Sequence, residues 1–99
     1  MELSSKQRAY LRGLANPLEP VFQIGKTGVS PEVTASIAEC FNTRELAKGT
    51  VLKNCPEEVR EAAEKAAERT RSTLVCVTGR RIVLYKPFSE KPEIILPKG

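Results

Sequence analysis

The sequence predicts an α/β fold: a compact layer sandwich with the element order α-β-α-β-α-β-β and a four-stranded mixed sheet. Three observations carry this prediction. Stretches with helical spacing of apolar residues alternate with short β-branched stretches, two strands follow one another near the end, and 99 residues suffice for one hydrophobic core. No linker or internal repeat divides the sequence, so residues 1–99 are expected to form a single domain.

The first helix is predicted near residues 4–14. Ser4 and Gln7 have the spacing of a capping box, in which each side chain satisfies a backbone N–H group of the other residue. Gly13 and the following Asn16-Pro17 pair can end this helix.

A short strand and a second helix should follow. Residues 20–24 are mostly apolar and lead into a glycine, which indicates a strand that ends there. Ser30 is a favourable N-cap and Pro31 suits the first helical position, so the second helix is predicted to run from Pro31 to about Asn42.

The middle of the chain predicts one strand and one helix. Residues 46–52 alternate loosely in hydropathy, although Gly49 in the middle weakens the prediction of a strand. Residues 56–70 form the clearest helical pattern, because alanine and valine recur at helical spacing opposite a charged face.

The last two strands are predicted as an antiparallel hairpin. Residues 74–77 and 82–85 are apolar and largely β-branched, and the Gly79-Arg80 pair between them favours a tight turn. The tail from about Pro87 contains two further prolines and is expected to be loosely ordered.

Charge is distributed unevenly along the chain. The net charge of +4 divides into +2 for residues 1–30, −2 for residues 31–70 and +4 for residues 71–99. Both basic segments could face a polyanion while the acidic middle is turned away from it. The alternative is that these charges only keep the surface soluble.

Two further features bound the class of protein. No apolar run is long enough to span a bilayer and the start lacks a secretory signal, so a cytoplasmic location is expected. The cysteines at positions 40, 55 and 76 are widely spaced and odd in number, which argues against a disulfide framework or a zinc site. We interpret them as small apolar residues of the interior.

The chain contains no histidine, which removes the commonest general base, nucleophile partner and metal ligand. Most carboxylates fall on the predicted solvent faces of helices, where they are better explained as solvated charges. The sequence therefore predicts a protein that is not an enzyme and that has neither a metal nor another cofactor.

One motif suggests an anion-binding loop. Gly25, Lys26, Thr27 and Gly28 lie between the first strand and the second helix, where glycines allow close backbone approach and a helix begins. A nucleotide-binding P-loop is excluded because it needs a glycine where this chain has Pro20. A GXXG loop that clamps the RNA backbone, as in KH domains, fits better. The alternative is a plain turn.

Other basic residues could extend this site. Arg8 and Arg12 share a flank of the first helix, Arg44 follows the second helix, and Arg80 and Arg81 sit at the hairpin turn. Taken singly, each could be an ordinary surface charge. Aromatic residues are few and fit core positions, so reading of the nucleic-acid backbone is favoured over base stacking.

Taken together, these residues resemble a known family. The matching stretches are residues 5–15, residues 21–28, residues 44–46 and residues 79–85. They closely resemble the bacterial YhbY-like proteins, stand-alone forms of the CRM domain, which is named for chloroplast RNA splicing and ribosome maturation. The resemblance extends to about Pro97 in collinear order.

The resemblance implies both a fold and a function. The implied fold is like the C-terminal domain of bacterial translation initiation factor three, and the implied function is association with ribosomal RNA in precursors of the large (50S) subunit. Plant relatives act on group II introns. By position, Gly25, Lys26 and Gly28 correspond to the RNA-contacting loop, and Arg8 and Arg12 to a basic surface beside it.

The residues thus favour an RNA-binding protein without a membrane or a small-molecule substrate, and the resemblance implies that it acts in ribosome assembly. Two other classes remain open. A small protein-interaction module would bind its partner through a helix face and leave the basic loop incidental. A phosphate-substrate transferase that uses Lys26 has less support, since no general base accompanies that lysine.

Overall fold

The computed structural model describes all residues, 1–99, and contains three helices and four strands. The elements are α1 (Ser5–Ala15), β1 (Phe22–Ile24), α2 (Pro31–Cys40), β2 (Leu46–Val51), α3 (Val59–Thr70), β3 (Thr73–Thr78) and β4 (Arg81–Tyr85). The predicted order of elements and the mixed sheet are confirmed. The differences lie at element boundaries: β1 and α3 both begin later than predicted, and α2 ends earlier.

The first two helices begin as their sequences dictate. Ser4 and Gln7 form both bonds of the capping box, and the Ser30 hydroxyl accepts a hydrogen bond from the Val33 N–H group at 3.2 Å. Gly13 does not end α1, which continues to Ala15. An isolated glycine in a packed helix is a tolerated cost and does not stop it.

The sheet has the strand order β1-β2-β4-β3. β1 runs parallel to β2, and the β2·β4 and β3·β4 pairs are antiparallel. Helices α2 and α3 cover one face with a core cluster of 13 buried residues. Helix α1 packs on the other face, where a second cluster of six buried residues is joined by Ile94 and Leu96 of the tail.

Gly49 is a required part of β2. Its partner in the parallel register is Phe22, whose ring lies directly over it. A Cβ at position 49 would overlap that ring, so glycine permits the close approach of the aromatic side chain. Although Gly49 weakened the prediction of a strand here, β2 forms over Leu46–Val51 with this glycine in its middle.

The tail after β4 has no helix or strand, but it is attached to the body. Glu45 is only 3% exposed, and its carboxylate accepts hydrogen bonds from the N–H groups of Phe88 at 2.6 Å, Glu93 at 2.9 Å and Ile94 at 2.7 Å. The Gln7 amide also donates to the Pro97 carbonyl. Loose order of this tail stays a prediction, and these contacts indicate where it is held.

None of the three helices has the length and apolar character that a membrane span requires.

Candidate nucleic-acid interface

Three connections meet at one end of the sheet. Because β1 and β2 are parallel and β4 is antiparallel to β2, the ends of β1 and β2 lie beside the start of β4. The Leu52 N–H group donates to the Ile24 carbonyl, and the Val51 N–H group donates to the Arg80 carbonyl, each at 2.8 Å. This topology brings the Gly25–Gly28 loop and the hairpin turn to the same end, which we call the loop end.

The Gly25–Gly28 loop is a tight turn with an exposed tip. The Gly28 N–H group donates to the Gly25 carbonyl at 2.9 Å, while the N–H groups of Lys26 and Thr27 have no partner within the protein. Both tip side chains are exposed. The amides that can reach an anion are therefore those of Lys26 and Thr27, and not that of Gly28.

The two glycines have different roles. Gly28 has a φ of 65°, and a Cβ there would lie 2.8 Å from Oε1 of Glu57. Gly25 has no such backbone conformation, and a Cβ there would meet the flexible Leu52 side chain at 3.3 Å. Only Gly28 is required by the geometry. A Gly28→Asp variant should consequently lose stability whether or not the loop binds an anion.

Helix α3 and the segment before it contact Val29, the residue that follows the Gly25–Gly28 loop. Oε1 of Glu57 accepts a hydrogen bond from the Val29 N–H group at 3.4 Å, and Arg69 donates to the Val29 carbonyl at 2.5 Å. Lys65 forms an ion pair with Glu57 and, through its hydrogen bond, lowers the pKa of that carboxyl. The contact of Glu57 with this loop could not be predicted from the sequence, because it joins distant segments.

The predicted arginines are divided between structural contacts and solvent. Arg80 donates from Nε to the Val51 carbonyl at 2.7 Å and from a terminal nitrogen to the Leu52 carbonyl at 2.8 Å, so it fixes the loop end. Arg8 donates to the carbonyls of Leu74 and Val75 on β3, both at 2.6 Å. These two guanidinium groups are already engaged by the protein.

The side chains of Arg12 and Arg81 are exposed and form no hydrogen bond or ion pair with the protein. Arg44 lies at the other end of the sheet, because it precedes β2 while the loop follows β1. The length of β2 separates the two, about 20 Å at roughly 3.3 Å per residue. The structure does not bring Arg44 to the loop end.

The face of the sheet that carries α1 is only half covered. α1 and the tail pack over Leu46, Val75, Val83 and Tyr85, while polar side chains occupy the part nearer the loop end. We call that part the open half-face; its members are Gln23, Lys48, Thr50, Thr78 and Arg81. Side chains of alternate residues share a face, and Leu46 places Lys48 and Thr50 on this side.

Sequence reasoning missed two lysines of this region. Lys48 lies on the open half-face, and exposed Lys53 lies in the connection after β2, beside the Gly25–Gly28 loop. The alternation of β2 could have placed Lys48, but only once the covered part of the sheet was known. Lys53 could have been found from the rule that loops after parallel neighbouring strands meet at one sheet end.

The structure offers no set of three or more cysteine, aspartate or glutamate side chains that could hold a metal ion. All three cysteines are free thiols and half-buried. Burial raises the pKa of the Cys76 thiol, while the nearby Arg12, Arg8 and Lys48 act in the opposite direction. The polar groups at the loop end are backbone amides, lysines and arginines, which are groups that can bind anions.

The chain is similar to proteins that are named as RNA-binding proteins. The chain is 44% identical over 95 residues to the probable RNA-binding protein YqeI of Bacillus subtilis, covering 96% of this chain and 99% of that protein. It is 35% identical over 96 residues to an RNA-binding protein of Haemophilus influenzae, covering 97% and 96% of the two chains.

One solved structure has a similar fold. The solution structure of the hypothetical protein SAV1595 from Staphylococcus aureus superimposes with a TM-score of 0.82 at 44% identity, over 97% of this chain and 100% of that one. Residues 3–86, almost the whole of the folded body, match the family described as the CRS1 / YhbY (CRM) domain. The resemblance suggested by the sequence motifs is thereby confirmed, and the chain belongs to the CRS1/YhbY (CRM) domain family.

Proposed function

We propose that this protein binds RNA with its loop end and the adjoining open half-face. The observation that carries the proposal is the tip of the Gly25–Gly28 loop, where Lys26 and Thr27 are exposed and their two backbone amides have no partner within the protein. Related proteins named as RNA-binding proteins support the same ligand. The further part of the proposal, from family resemblance, is that the RNA is ribosomal RNA in precursors of the large subunit and that binding aids their assembly.

The chemistry of the surface suits a phosphate backbone. Backbone amides and lysines recognise phosphate oxygens without regard to base identity. Lys26, Lys53, Arg12 and Arg81 are exposed cations at or beside the loop end, and none of them forms an ion pair with a carboxylate of the protein. These four charges, with the tip amides, give about four to six phosphate contacts, which is enough for binding governed by counterion release.

The direct test is the salt dependence of RNA binding. With about four to six phosphate contacts, a fourfold rise in salt should weaken binding to structured RNA on the order of 50-fold to 2,000-fold. Fluorescence anisotropy with a labelled ribosomal RNA fragment at several salt concentrations measures this slope. An affinity that does not change with salt would contradict the electrostatic basis of the proposal.

The ribosomal part needs a separate test in cells. After sedimentation of a lysate, the protein should appear with precursors of the large subunit and should leave those fractions after ribonuclease treatment. Association that survives complete removal of RNA would favour the protein-interaction module instead. A protein that binds purified RNA but never sediments with subunit precursors would retain the RNA-binding function and lose the ribosomal assignment.

A further inference from the structure

A small cavity lies on the open half-face, between the C-terminal half of α1 and strands β2, β4 and β3. Its volume is about 160 Å³. It is lined by Arg12, Ala15, Asn16, Lys48, Cys76, Thr78, Arg81 and Val83. This cavity is separate from the Gly25–Gly28 loop, because no residue of the loop contributes to it.

The rim of the cavity is cationic and lacks a compensating acid. Arg12, Lys48 and Arg81 supply three positive charges, and no aspartate or glutamate lines the cavity. The single ion pair of the whole structure, between Lys65 and Glu57, lies elsewhere. Lys48 is held in place by its hydrogen bond to the Asn16 carbonyl at 3.2 Å. Three like charges around one cavity favour an anionic occupant.

The floor of the cavity is apolar. Cys76 and Lys48 both pair with Val83, so these three residues form one row across β3, β4 and β2. Ala15 of α1 is a further apolar residue of the lining. A bare phosphate gains nothing from an apolar floor. A nucleotide is stabilised by such a floor, because both faces of its base are flat and apolar, while its phosphate can contact the cations.

The strand register connects the cavity with the loop. Thr78 pairs with Arg81, Arg81 with Thr50, and Thr50 with Gln23, so a polar row crosses all four strands. The row spans about 14 Å, three strand spacings of roughly 4.8 Å. It ends at Gln23, two residues before the loop begins. An extended strand of RNA can follow this row from the loop tip to the cavity.

We propose that the cavity receives the base of one unstacked nucleotide from a single-stranded segment of the bound RNA. The base lies on the floor of Ala15, Cys76 and Val83, and the phosphate is held by the three cations of the rim. Arginine guanidinium groups stack on unpaired bases, which gives Arg12 and Arg81 a second role besides charge. This inference rests on the proposed RNA binding and adds a preference for single-stranded RNA.

The reaction rate of the Cys76 thiol can show whether the cavity is occupied. A variant with Cys40→Ala and Cys55→Ala retains Cys76 as its only thiol, and its rate of reaction with N-ethylmaleimide can be followed by mass spectrometry. The matched control is a variant with Cys55→Ala and Cys76→Ala. It retains Cys40, which belongs to α2 on the opposite side of the sheet. Binding of each RNA is measured in parallel by anisotropy.

A saturating single-stranded RNA oligonucleotide should slow modification of Cys76 about tenfold or more and leave that of Cys40 within about twofold. A saturating duplex of the same length, or polyphosphate, should leave both rates within about twofold. Saturating single-stranded RNA that does not protect Cys76 would overturn the inference and leave RNA binding intact. Equal protection by polyphosphate would show an anion site without a base. Failure of every RNA to bind would overturn both proposals.

A second variant tests the stacking role without removing charge. Arg12→Lys keeps the positive charge at an exposed helical position but removes the planar group. We expect about a fivefold loss of affinity for single-stranded RNA, consistent with the contribution of base stacking, and an unchanged melting temperature. Unchanged affinity in Arg12→Lys would rule out stacking by this residue. If single-stranded RNA still protected Cys76 in that variant, the stacking role would belong to Arg81.

Discussion

The two faces of the sheet differ in how completely they are covered. On one face, α2 and α3 close over the strands; four alanines of α3 let that helix approach the sheet closely, with none more than 7% exposed. On the other face, α1 and the tail cover half of the strands and leave cations and hydroxyls on the rest. We therefore expect substitutions on the closed face to lower folding stability and substitutions on the open half-face to lower RNA affinity.

The largest effect is expected for Gly49→Ala on the closed face. The added methyl would overlap the Phe22 ring, and overpacking of this kind costs about 3 kcal/mol in the free energy of unfolding. Urea denaturation measures the loss. RNA affinity of the folded protein should not change.

A double-mutant cycle with Phe22→Leu checks the cause of that loss. Because the smaller side chain makes room, the double variant should be more stable than the sum of the single effects by at least about 1 kcal/mol. Simple additivity would show that contact with the Phe22 ring is not why position 49 requires glycine.

Glu45→Gln should cause the next largest loss of stability, because Glu45 joins the tail to the body. Three backbone N–H groups donate to this carboxylate, and an amide group would face at least one of them with its own donor. The expected loss is about 2 kcal/mol. Hydrogen exchange should accelerate at the amides of Phe88, Glu93 and Ile94 more than at those of β4. Rapid exchange of the three amides already in the parent protein would support the prediction of a loosely ordered tail.

Lys26→Ala tests the binding side of the comparison. RNA affinity should fall about fivefold at moderate salt and the salt slope by about 0.7–0.9, because one phosphate contact is lost. The melting temperature should stay unchanged, since the side chain is exposed. Lys91→Ala is the matched control: it removes an equal charge from the tail, away from the loop end. Equal effects of the two substitutions would mean that only net charge matters.

The smallest effect is expected for Glu57→Gln behind the loop. Lys65 lowers the pKa of this carboxyl below its usual 4.5 in the folded protein, so its contribution to stability is complete above that value and is lost as pH falls through the folded pKa. The parent protein should exceed the variant by less than about 1 kcal/mol near pH 7. The difference should shrink in acid denaturation experiments below pH 4.5. A difference that instead grew in acid would contradict the ion pair as its source.

Local signals allowed much of this structure to be predicted. The caps at Ser4 and Ser30 and the turn at Gly79 depend on neighbours in the sequence, and all three lie where expected. Contacts between distant segments could not be predicted. Whether Gly49 weakens a strand depends on its pairing with Phe22, and whether Gly28 can be replaced depends on Glu57.

The same limit applied to predicting the candidate site from the sequence. The sequence identified the loop and several cations, but it could not distinguish arginines that the protein itself uses from those left to solvent. Arg8 and Arg80 are held by backbone carbonyls, whereas Arg12 and Arg81 are not. The cavity depends on strand register, which sets Lys48 and Cys76 on either side of Val83.

The contact of Arg8 with β3 has a consequence for self-association. β3 is an edge strand with an irregularity in its pairing between Leu74 and Cys76, and the Arg8 guanidinium occupies the carbonyls of Leu74 and Val75. Unoccupied acceptors on an edge are templates on which a second chain can add a strand, and a charge there opposes that addition. We therefore expect Arg8, which was predicted as part of a basic surface, to oppose edge-to-edge association, whereas the side chain of its neighbour Arg12 makes no such contact.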